Sequence, residues 1–508
     1  MKRGSALLAV LSFVAAACVL PPTTPGTALF PDGVAAGDVT STGAVVWTRT
    51  SGDATIDLEV FTNVNLSGAP VFTTSVSTSA ATDHTAKVDV GGLAPNSFFY
   101  YRWTSGADAS QIGRFRTAPN PATNASFRFV YAGDVDGLPF AGPPAFNDFE
   151  VLDRARLENP AFFAFVGDTI YSDSGQEPSP ATTLEEYRAR YEHNRSFEHL
   201  RNLMAATGTF AQPDDHEVYN DYDGQTVDAT RYANGWQAFH DWMPTDTGNV
   251  LVDASCADDP RYFTFQWGSQ AEFFVLDERS CRSDSATVES TICLDDLAPT
   301  LPTAFRLAAG LPEDPPAGCV DALNDPTRTM LGPVQKAAFE ADLVASTAKW
   351  KIVLSQLAWQ QFWALPYDRW EGYAGERAEL LNFIRDNTID DVVFLTTDNH
   401  MNLFNDVFID FTTDPEPIGY EVINGPVATN TFEQEILDFT GDPALVDAFQ
   451  AVLTVLGADC RAIDTYSYGA VSVNAQAGTL TIAAKDAAGA VVADDLTPTT
   501  KCKKVLGP

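Results

Sequence analysis

The stretch FFAFVGDTIY, from Phe162 to Tyr171, is an apolar run that ends abruptly at a Gly-Asp pair. Residues Ala161 to Val166 are apolar on both faces of an extended chain, which predicts a buried strand of a parallel sheet. Asp168 and Tyr171 follow the carboxyl end of that strand, where ligands bind in open α/β sheets. The pair could instead form a simple turn in which Asp168 caps a helix. The stretch therefore predicts an α/β domain with a carboxylate and a phenol placed to hold a metal ion.

Three further segments place acidic side chains directly after a hydrophobic segment. They are Asp134 and Asp136 after the predicted strand Phe127 to Ala132, Asp215 and His216 with nearby Asn220 after a helical pattern, and Asp398 and His400 after the predicted strand Asp391 to Thr397. Each segment alone is typical of a solvated loop. Their repetition at the ends of apolar segments predicts that the carboxylates gather at one edge of the sheet.

The composition limits the kinds of partner that the chain can bind. Its 508 residues exceed one ordinary domain, and its formal charge is -37. A field of that sign repels nucleic acid and anionic membrane surfaces, so we expect no nucleic-acid binding. Acidic side chains also supply hard oxygen ligands, and the chain has only six His. Any metal site must therefore rely on carboxylates.

Residues 1–18 have the pattern of an export signal. Lys2 and Arg3 precede a short apolar run that is too short to span a bilayer, and small residues precede Cys18. The segment resembles a bacterial lipoprotein signal with Cys18 as the lipidated residue, although Ala15 stands where Leu is usual. Plain cleavage after the Ala run is the alternative. A lipid anchor at Cys18 would be the only contact with a membrane.

The remaining six cysteines are even in number. Six cysteines can form three disulfides in an oxidising compartment. The spacing suggests the pairs Cys281 with Cys293 and Cys460 with Cys502. A cysteine metal site is the competing interpretation, but the chain has no C-x-x-C pair.

The chain divides into two folded regions. Residues 28–119 contain short, partly alternating strands separated by turns, which predict a β-sandwich of immunoglobulin or fibronectin type. A Pro- and Asn-containing linker follows, and residues 126–490 then alternate strands with helices, as an α/β domain does. Within that domain, Tyr262 to Trp267 and Glu272 to Asp277 predict a hairpin. We leave open whether Asp410 to Gly457 covers the site.

Several motifs occur in a fixed order along the chain. They are FPDGVAAGDVTSTGAVVWTR at Phe30 to Arg49, GDTIY at Gly167 to Tyr171, EYRARY at Glu186 to Tyr191, DDHEVYND at Asp214 to Asp221, YDRWEGYAGERAELLNFI at Tyr367 to Ile384 and TTDNHMNLF at Thr396 to Phe404. Together they resemble the alkaline phosphatase D family of secreted metallophosphatases. The resemblance implies that a four-layer α/β/β/α metallophosphoesterase domain follows the β-sandwich.

The resemblance also implies a role for each site residue. Asp168 matches a carboxylate that bridges two metal ions, and Tyr171 matches a tyrosinate ligand of Fe(III). The resemblance implies Ca(II) as the second ion, with other divalent metals as alternatives. The remaining matches are Asp215, Asp398 and His400 as metal ligands, His216 beside the leaving group, and Asn220 as a site-lining amide. We therefore expect His216, Asp168 and Asn220 to be catalytic.

One position departs from the family pattern. Many members end the first strand with a Cys that binds iron, whereas this chain has Asp134 there. A carboxylate is a harder ligand than a thiolate, so hard cations can still bind but the preference for iron would change. Asp136 adds a second carboxylate two residues on, in the spacing of the wider metallophosphoesterase superfamily. We therefore count Asp134 and Asp136 among the predicted metal ligands.

These observations predict a metal-dependent hydrolase of phosphoric esters in the bacterial cell envelope or outside the cell. Cations lower the pKa of a bound water, so that a metal-bound hydroxide can attack phosphorus in line without a side-chain nucleophile. Small-molecule phosphomonoesters and phosphodiesters are the expected substrates. Two alternatives are a phosphodiesterase specialised for lipid headgroups or cell-wall polymers, and a surface binding protein that has lost most of its turnover.

Overall fold

The computed structural model describes residues 20–21, 26–246, 248–256, 259–285, 293, 296, 298–308, 310–364, 366–414 and 416–508. The predicted signal segment, residues 1–18, lies outside the described residues, and so does Cys18. Among the described helices, none combines the length and the apolar character needed to cross a membrane.

The strands are numbered in chain order. They are β1 Val34–Gly37, β2 Ala44–Arg49, β3 Ala54–Phe61, β4 Phe72–Thr78, β5 Thr85–Val90, β6 Phe98–Ser105, β7 Asp108–Ala109, β8 Gly113–Arg116, β9 Phe127–Ala132, β10 Phe162–Val166, β11 Gly208–Gln212, β12 Phe263–Trp267, β13 Ala271–Val275, β14 Trp350–Leu354, β15 Val392–Thr396, β16 Asn402–Val407, β17 Gly419–Ile423, β18 Cys460–Ala462, β19 Tyr468–Asn474, β20 Thr479–Lys485 and β21 Lys503–Leu506.

The α-helices are numbered in the same way. They are α1 Glu150–Leu157, α2 Leu184–Ser196, α3 Glu198–Ala206, α4 Ala229–Trp242, α5 Thr303–Ala308, α6 Cys319–Leu323, α7 Gly332–Ala345, α8 Ala374–Asp386, α9 Phe432–Thr440 and α10 Pro443–Val455.

Two large sheets form the body of the molecule. The first runs in the order β21-β20-β19-β9-β10-β11-β1-β2-β5, and the second in the order β12-β13-β14-β15-β17-β16-β18. Strand β10 is parallel to both β9 and β11, and all five of its residues are buried. The prediction of a buried parallel strand at FFAFV is therefore confirmed, since strands covered on both faces are apolar throughout.

The two sheets pack face to face through aromatic side chains. Phe273 on β13 makes edge-to-face contacts with Phe129 on β9 and Phe162 on β10, at ring-centroid distances of 5.2 and 5.3 Å. The next residues along these strands point away, so that Phe163 packs on the helices that cover the first sheet and Phe274 on those that cover the second. This alternation produces the four layers α/β/β/α, and the predicted fold class is confirmed.

The amino-terminal β-sandwich shares a sheet with the rest of the molecule. One of its layers is the sheet β4-β3-β6-β7 with β8, and the other consists of β1, β2 and β5. Strand β1 pairs in parallel with β11, with Ala36 opposite Gly208. The sandwich therefore continues the nine-stranded sheet at the level of backbone hydrogen bonds.

The disulfides correct one prediction made from spacing. Cys460 pairs with Cys502 as expected, but Cys281 pairs with Cys256, and Cys293 pairs with Cys319. The reason is the antiparallel hairpin of β12 and β13, which was predicted correctly. Such a hairpin brings the chain that precedes its first strand next to the chain that follows its second, so Cys256 lies beside Cys281.

Candidate metal centre

The acidic residues lie where parallel strands end. Asp134 and Asp168 each come two residues after a strand, β9 and β10 respectively, and Asp214 follows the end of β11. Asp398 follows β15 of the second sheet in the same way. Because the two sheets pack face to face, the strand ends of both sheets contribute side chains to one shared crevice.

One group of ligand atoms gathers around Asp134. Ligand atoms of Asp134, Asp168 and His400 lie within 4.8 Å of one another, and all three side chains are buried. The Tyr171 hydroxyl oxygen is 3.0 Å from His400 Nε2, which brings a phenol into the same group. The structure thus brings together four predicted ligands from three separate strand ends.

Further groups share members with the first. A second group consists of Asp168, Asp215 and His216, and a third consists of Asp214, Asp215 and Asp398. Within each group the ligand atoms again lie within 4.8 Å of one another. Asp168 therefore belongs to two adjacent groups. A carboxylate in that position can bridge two cations, which typically lie about 3.5 to 4 Å apart in two-metal sites.

Three buried carboxylate oxygens in this crevice accept no hydrogen bond from the described residues. They are Asp134 Oδ2, Asp214 Oδ2 and Asp215 Oδ1. A buried carboxylate oxygen without a partner is costly unless a proton or a cation neutralises it. The donor set consists mainly of hard carboxylate and phenol oxygens, which suit Ca²⁺ and trivalent iron, with one imidazole nitrogen that also suits iron. The residues present therefore fit bound cations.

The pKa values of these groups support the same interpretation. Burial raises the pKa of Asp134 to about 6, against the opposing effect of His400. Burial, followed by neighbouring carboxylates, also raises the pKa of Asp398 well above its usual range. Burial and the adjacent carboxylates likewise raise the pKa of the Tyr171 phenol. Without a cation, the crevice would hold protons in its place.

His216 is held from two sides. Its Nδ1 lies 2.6 Å from Asp173 Oδ1, and its ring stacks on Tyr171 with the centroids 4.1 Å apart. Burial lowers the pKa of His216, but Asp168, Asp215 and Asp173 outweigh this effect and raise it well above its usual range. Asp173 thus orients the imidazole, and in the metal-free crevice the surrounding carboxylates favour its protonated form.

Two predicted residues are placed differently from the rest. The Asp136 carboxylate accepts hydrogen bonds from Ser174 Oγ at 2.5 Å and from the Leu138 amide at 2.9 Å, and it joins none of the ligand groups found in the described residues. Asn220 has an exposed side chain, and its backbone N–H donates to Asp173 Oδ2 at 2.7 Å. Asn220 therefore contacts the residue that holds His216.

Sequence reasoning missed the arginines of the site. Arg279, which follows β13, is fully buried and forms ion pairs with Asp214, Asp368 and Asp398. Arg282 also pairs with Asp368, at 2.5 Å. The run Asp277-Glu278-Arg279 after the predicted hairpin was the available signal, but arginines after a strand are most often solvated.

The chain matches two related family descriptions. Residues 140–484 match "PhoD-like phosphatase", and residues 15–119 match "PhoD-like phosphatase, N-terminal domain". Asp134 and Asp136 lie in the interval between the two matches. A curated relative, alkaline phosphatase D of Bacillus subtilis (strain 168), is 27% identical over 448 residues, which cover 78% of this chain and 69% of the relative.

Two solved structures have a similar fold. The structure of PhoD superposes with a TM-score of 0.73 at 22% identity, covering 94% of this chain and 88% of that chain. Purple acid phosphatase PPD1 from yellow lupin (Lupinus luteus) superposes with a TM-score of 0.55 at 12% identity, covering 93% and 73%. At these identities the likeness shows the fold alone. The family match over most of the length, together with carboxylate groups that could hold metal, shows that this chain belongs to the PhoD-like phosphatases and is a metal-dependent hydrolase of phosphoric esters.

Proposed function

We propose that this phosphoesterase is exported, binds one ferric and at least one calcium ion, and hydrolyses small phosphomonoesters and phosphodiesters. The observation that carries the proposal is the convergence of unpartnered, buried carboxylate oxygens at the strand ends of both sheets. Such oxygens destabilise a fold unless a cation or a proton neutralises them.

The residues divide naturally between two cation positions. Asp134, Tyr171 and His400 would hold the ferric ion, because a phenol ionises at neutral pH only beside a strongly acidic metal. Asp215 would hold calcium, with Asp168 shared between the two ions. Asp214 and Asp398, which lie beside Arg279, would complete the second position.

The charge of the crevice supports two cations. A further ligand group joins Asp215 to Asp221 and Asp368. Among the described residues, the groups around the site therefore contain seven carboxylates, and Arg279 and Arg282 offset part of their charge. The remainder is about five negative charges, roughly the sum carried by one trivalent and one divalent ion. The same cations would let a strongly acidic protein accept an anionic substrate.

The proposed chemistry needs few protein groups beyond the ligands. When bound, the cations would neutralise the phosphate and lower the pKa of an attacking water molecule. Asp173 holds His216 at Nδ1, which leaves Nε2 to carry a proton to the leaving oxygen. Asn220 supports this arrangement through its backbone contact with Asp173. No side chain is required to form a covalent intermediate.

Export and lipid anchoring are supported by the cysteines. Six of the seven cysteines form disulfides, which is typical of proteins in oxidising compartments, and Cys18 is the one that remains. We expect mass spectrometry of the native protein to show a diacylglyceryl group at Cys18. Cys18→Ala should then move the protein from the membrane fraction to the soluble fraction, and an unchanged distribution would contradict the anchor.

The test of the proposed function combines metal content with turnover. Protein purified without added metal should contain iron and calcium, and it should hydrolyse p-nitrophenyl phosphate and bis-p-nitrophenyl phosphate. Asp168→Asn should lose metal and reduce turnover on the order of 1,000-fold, equivalent to the several kcal/mol that a bridged pair of cations supplies. Asp57→Asn, on the exposed face of β3, removes the same charge and should change neither.

Each outcome of this test has a defined meaning. Turnover of the diester alone would favour the specialised phosphodiesterase. Metal-free protein that is fully active would contradict the proposed metal centre.

A further inference from the structure

The first turn of helix α9 contacts His400, one of the proposed metal ligands. Its Glu435 carboxylate accepts a hydrogen bond from His400 Nδ1, with Oε1 and Nδ1 separated by 2.5 Å. The Phe432 backbone N–H, at the first residue of the helix, donates to the His400 carbonyl oxygen at 3.0 Å. The helix therefore contacts both the ring and the backbone of His400.

The contact with Glu435 determines which ring nitrogen of His400 is available to a cation. Since the carboxylate accepts, Nδ1 carries the proton, and Nε2 keeps its lone pair. Nε2 lies 3.0 Å from the Tyr171 hydroxyl oxygen. Two donors that bind one ion at about 2.1 Å and at right angles to each other are separated by about 3 Å. The geometry thus suits Nε2 and the phenol oxygen as neighbouring ligands.

Beyond its first turn, helix α9 makes only partly buried contacts, through Ile436 and Leu437, with the hydrophobic cluster that contains Phe449. Among its described residues only Phe432 is buried, and Phe439 near its end is 75% exposed. Helix α10 packs beside α9, with the Phe432 and Phe449 rings 4.7 Å apart. The first turn of α9 thus contains the one fully buried residue of the helix, and Glu435 lies in that turn.

We propose that Glu435 is a positioning residue that holds His400 for metal binding and couples occupancy of the metal site to the order of residues 432–455. The inference rests on the metal centre proposed above. With Nε2 bound to a cation, His400 would keep its proton on Nδ1, which would strengthen the hydrogen bond to Glu435 and so fix the first turn of α9. Conversely, removal of the Glu435 carboxylate would weaken the binding of metal by His400.

Three variants separate this role from a general effect of charge. Glu435→Ala removes the acceptor, and Glu435→Gln keeps an acceptor oxygen without the charge. Glu433→Gln removes the same charge from the same helical turn, where no contact with His400 occurs. The side chain of Glu435 is 40% exposed, so these substitutions are compatible with folding.

Metal retention is measured by elemental analysis after dialysis against increasing concentrations of EDTA. Glu435→Ala should release iron or calcium at about 10- to 100-fold lower EDTA than wild type, the usual effect of removing a partner of a ligating histidine. Glu435→Gln should recover most of this loss, and Glu433→Gln should match wild type. Equal retention in wild type and Glu435→Ala would overturn the proposal.

Hydrogen exchange provides a readout that does not depend on turnover. Amides of residues 432–455 should exchange more slowly in metal-loaded than in EDTA-stripped wild type, and Glu435→Ala should remove most of that difference. Equal exchange rates in metal-loaded and EDTA-stripped wild type would overturn the coupling, even if the phosphatase is active. Wild type that retains no metal in either experiment would instead show that the proposed metal centre itself is wrong.

Discussion

Four of the proposed ligand residues have a backbone conformation that most side chains avoid. Asp134, Asp168, Asp398 and His400 have φ angles of 60°, 49°, 60° and 48°, in the left-handed region. Each such residue costs on the order of 1 kcal/mol, although Asp tolerates this region better than most. Asp134, Asp168 and Asp398 each adopt this conformation two residues after a strand ends, at the point where their carboxylates meet in the crevice. Local strain is therefore part of how the site is built.

Asp134 offers a test of how far the site is destabilised without metal. Burial raises its pKa to about 6, so at pH 8 the metal-free protein holds a charge that the unfolded chain would accommodate more easily. Asp134→Asn should therefore raise the free energy of unfolding of EDTA-stripped protein by up to about 3 kcal/mol. If Asp134 is a metal ligand as proposed, the same change should lower the stability of metal-loaded protein, because that ligand is lost.

Urea unfolding at pH 8, with and without EDTA, measures both effects of Asp134→Asn. Opposite signs in the two conditions are the expected result. A loss of stability of equal size in both conditions would show that Asp134 acts only through packing.

Asp173 is predicted to act through His216. If it orients a proton donor, Asp173→Asn should reduce turnover by about 10- to 100-fold on alkyl phosphates, whose leaving groups need a proton. The loss on p-nitrophenyl phosphate should be much smaller, because p-nitrophenolate leaves without one. The comparison of kcat/KM across leaving groups measures this difference.

A matched control for Asp173 exists elsewhere in the chain. Asp53 contacts His84 Nδ1 at 3.1 Å on the amino-terminal sandwich, and its side chain is 75% exposed. Asp53→Asn should leave turnover on both kinds of substrate unchanged. Equal losses on both in Asp173→Asn would point to a role in folding alone.

At the scale of elements, the site depends on close approach between strand ends. Gly167 follows β10 with a φ of 78°, and a Cβ added there would lie 2.7 Å from the Cβ of Asp214, at the end of β11. Only glycine accepts both the conformation and the contact. The Gly-Asp pair that ends the apolar run is thus required by the neighbouring strand.

Gly167→Ala should therefore disturb the site through its backbone. We expect a loss of about 1–3 kcal/mol in the free energy of unfolding, together with lower metal content, because Asp214 must move. Gly175→Ala is the control, since its added Cβ would meet nothing within 4 Å. Thermal unfolding and elemental analysis on both variants measure the effects. Wild-type metal content in Gly167→Ala would contradict this account of the strand ends.

The same elements show which parts of the site sequence can predict. Asp168 and Asp398 were predictable because an apolar run and a turn mark each strand end locally. Asp173 and Glu435 were not, since each matters through one contact with a histidine that is distant in sequence. Arg279 likewise reaches Asp214 only because two sheets pack against each other. Local patterns locate the strand ends but not the partners that tertiary packing supplies.

At the scale of the whole molecule, the sandwich and the α/β domain form one continuous structure. The sequence indicated two regions, and the parallel pairing of β1 with β11 could not be inferred because no local pattern specifies so distant a partner. Trp47 of β2 is fully buried, and its indole N–H donates to the Asp241 carbonyl oxygen at 2.8 Å. The junction is therefore part of the core, and changes there should affect the stability of the whole chain.

His240 lies at this junction in α4, close to two cationic side chains. Burial first, and then the charges of Lys87 and Arg261, lower its pKa to about 3 from the ordinary value of 6.5. Its Nδ1 is buried and has no hydrogen-bond partner among the described residues. The folded state therefore keeps the ring neutral at pH values where the unfolded chain binds a proton.

The effect of pH on stability follows from this difference. Between pH 6.5 and 3 the unfolded state binds more protons at His240 than the folded state does, so the free energy of unfolding rises with pH. The stabilising contribution is fully present above pH 6.5 and is lost as the pH falls toward 3. At pH 5 the loss should be about 2 kcal/mol.

His240→Gln cannot take up the proton and should therefore lose about 2 kcal/mol less than wild type between pH 7.5 and pH 5. Urea unfolding of both proteins at these two pH values measures the difference, in which other titrating groups cancel, and parallel losses would show that His240 is not buried in its neutral form.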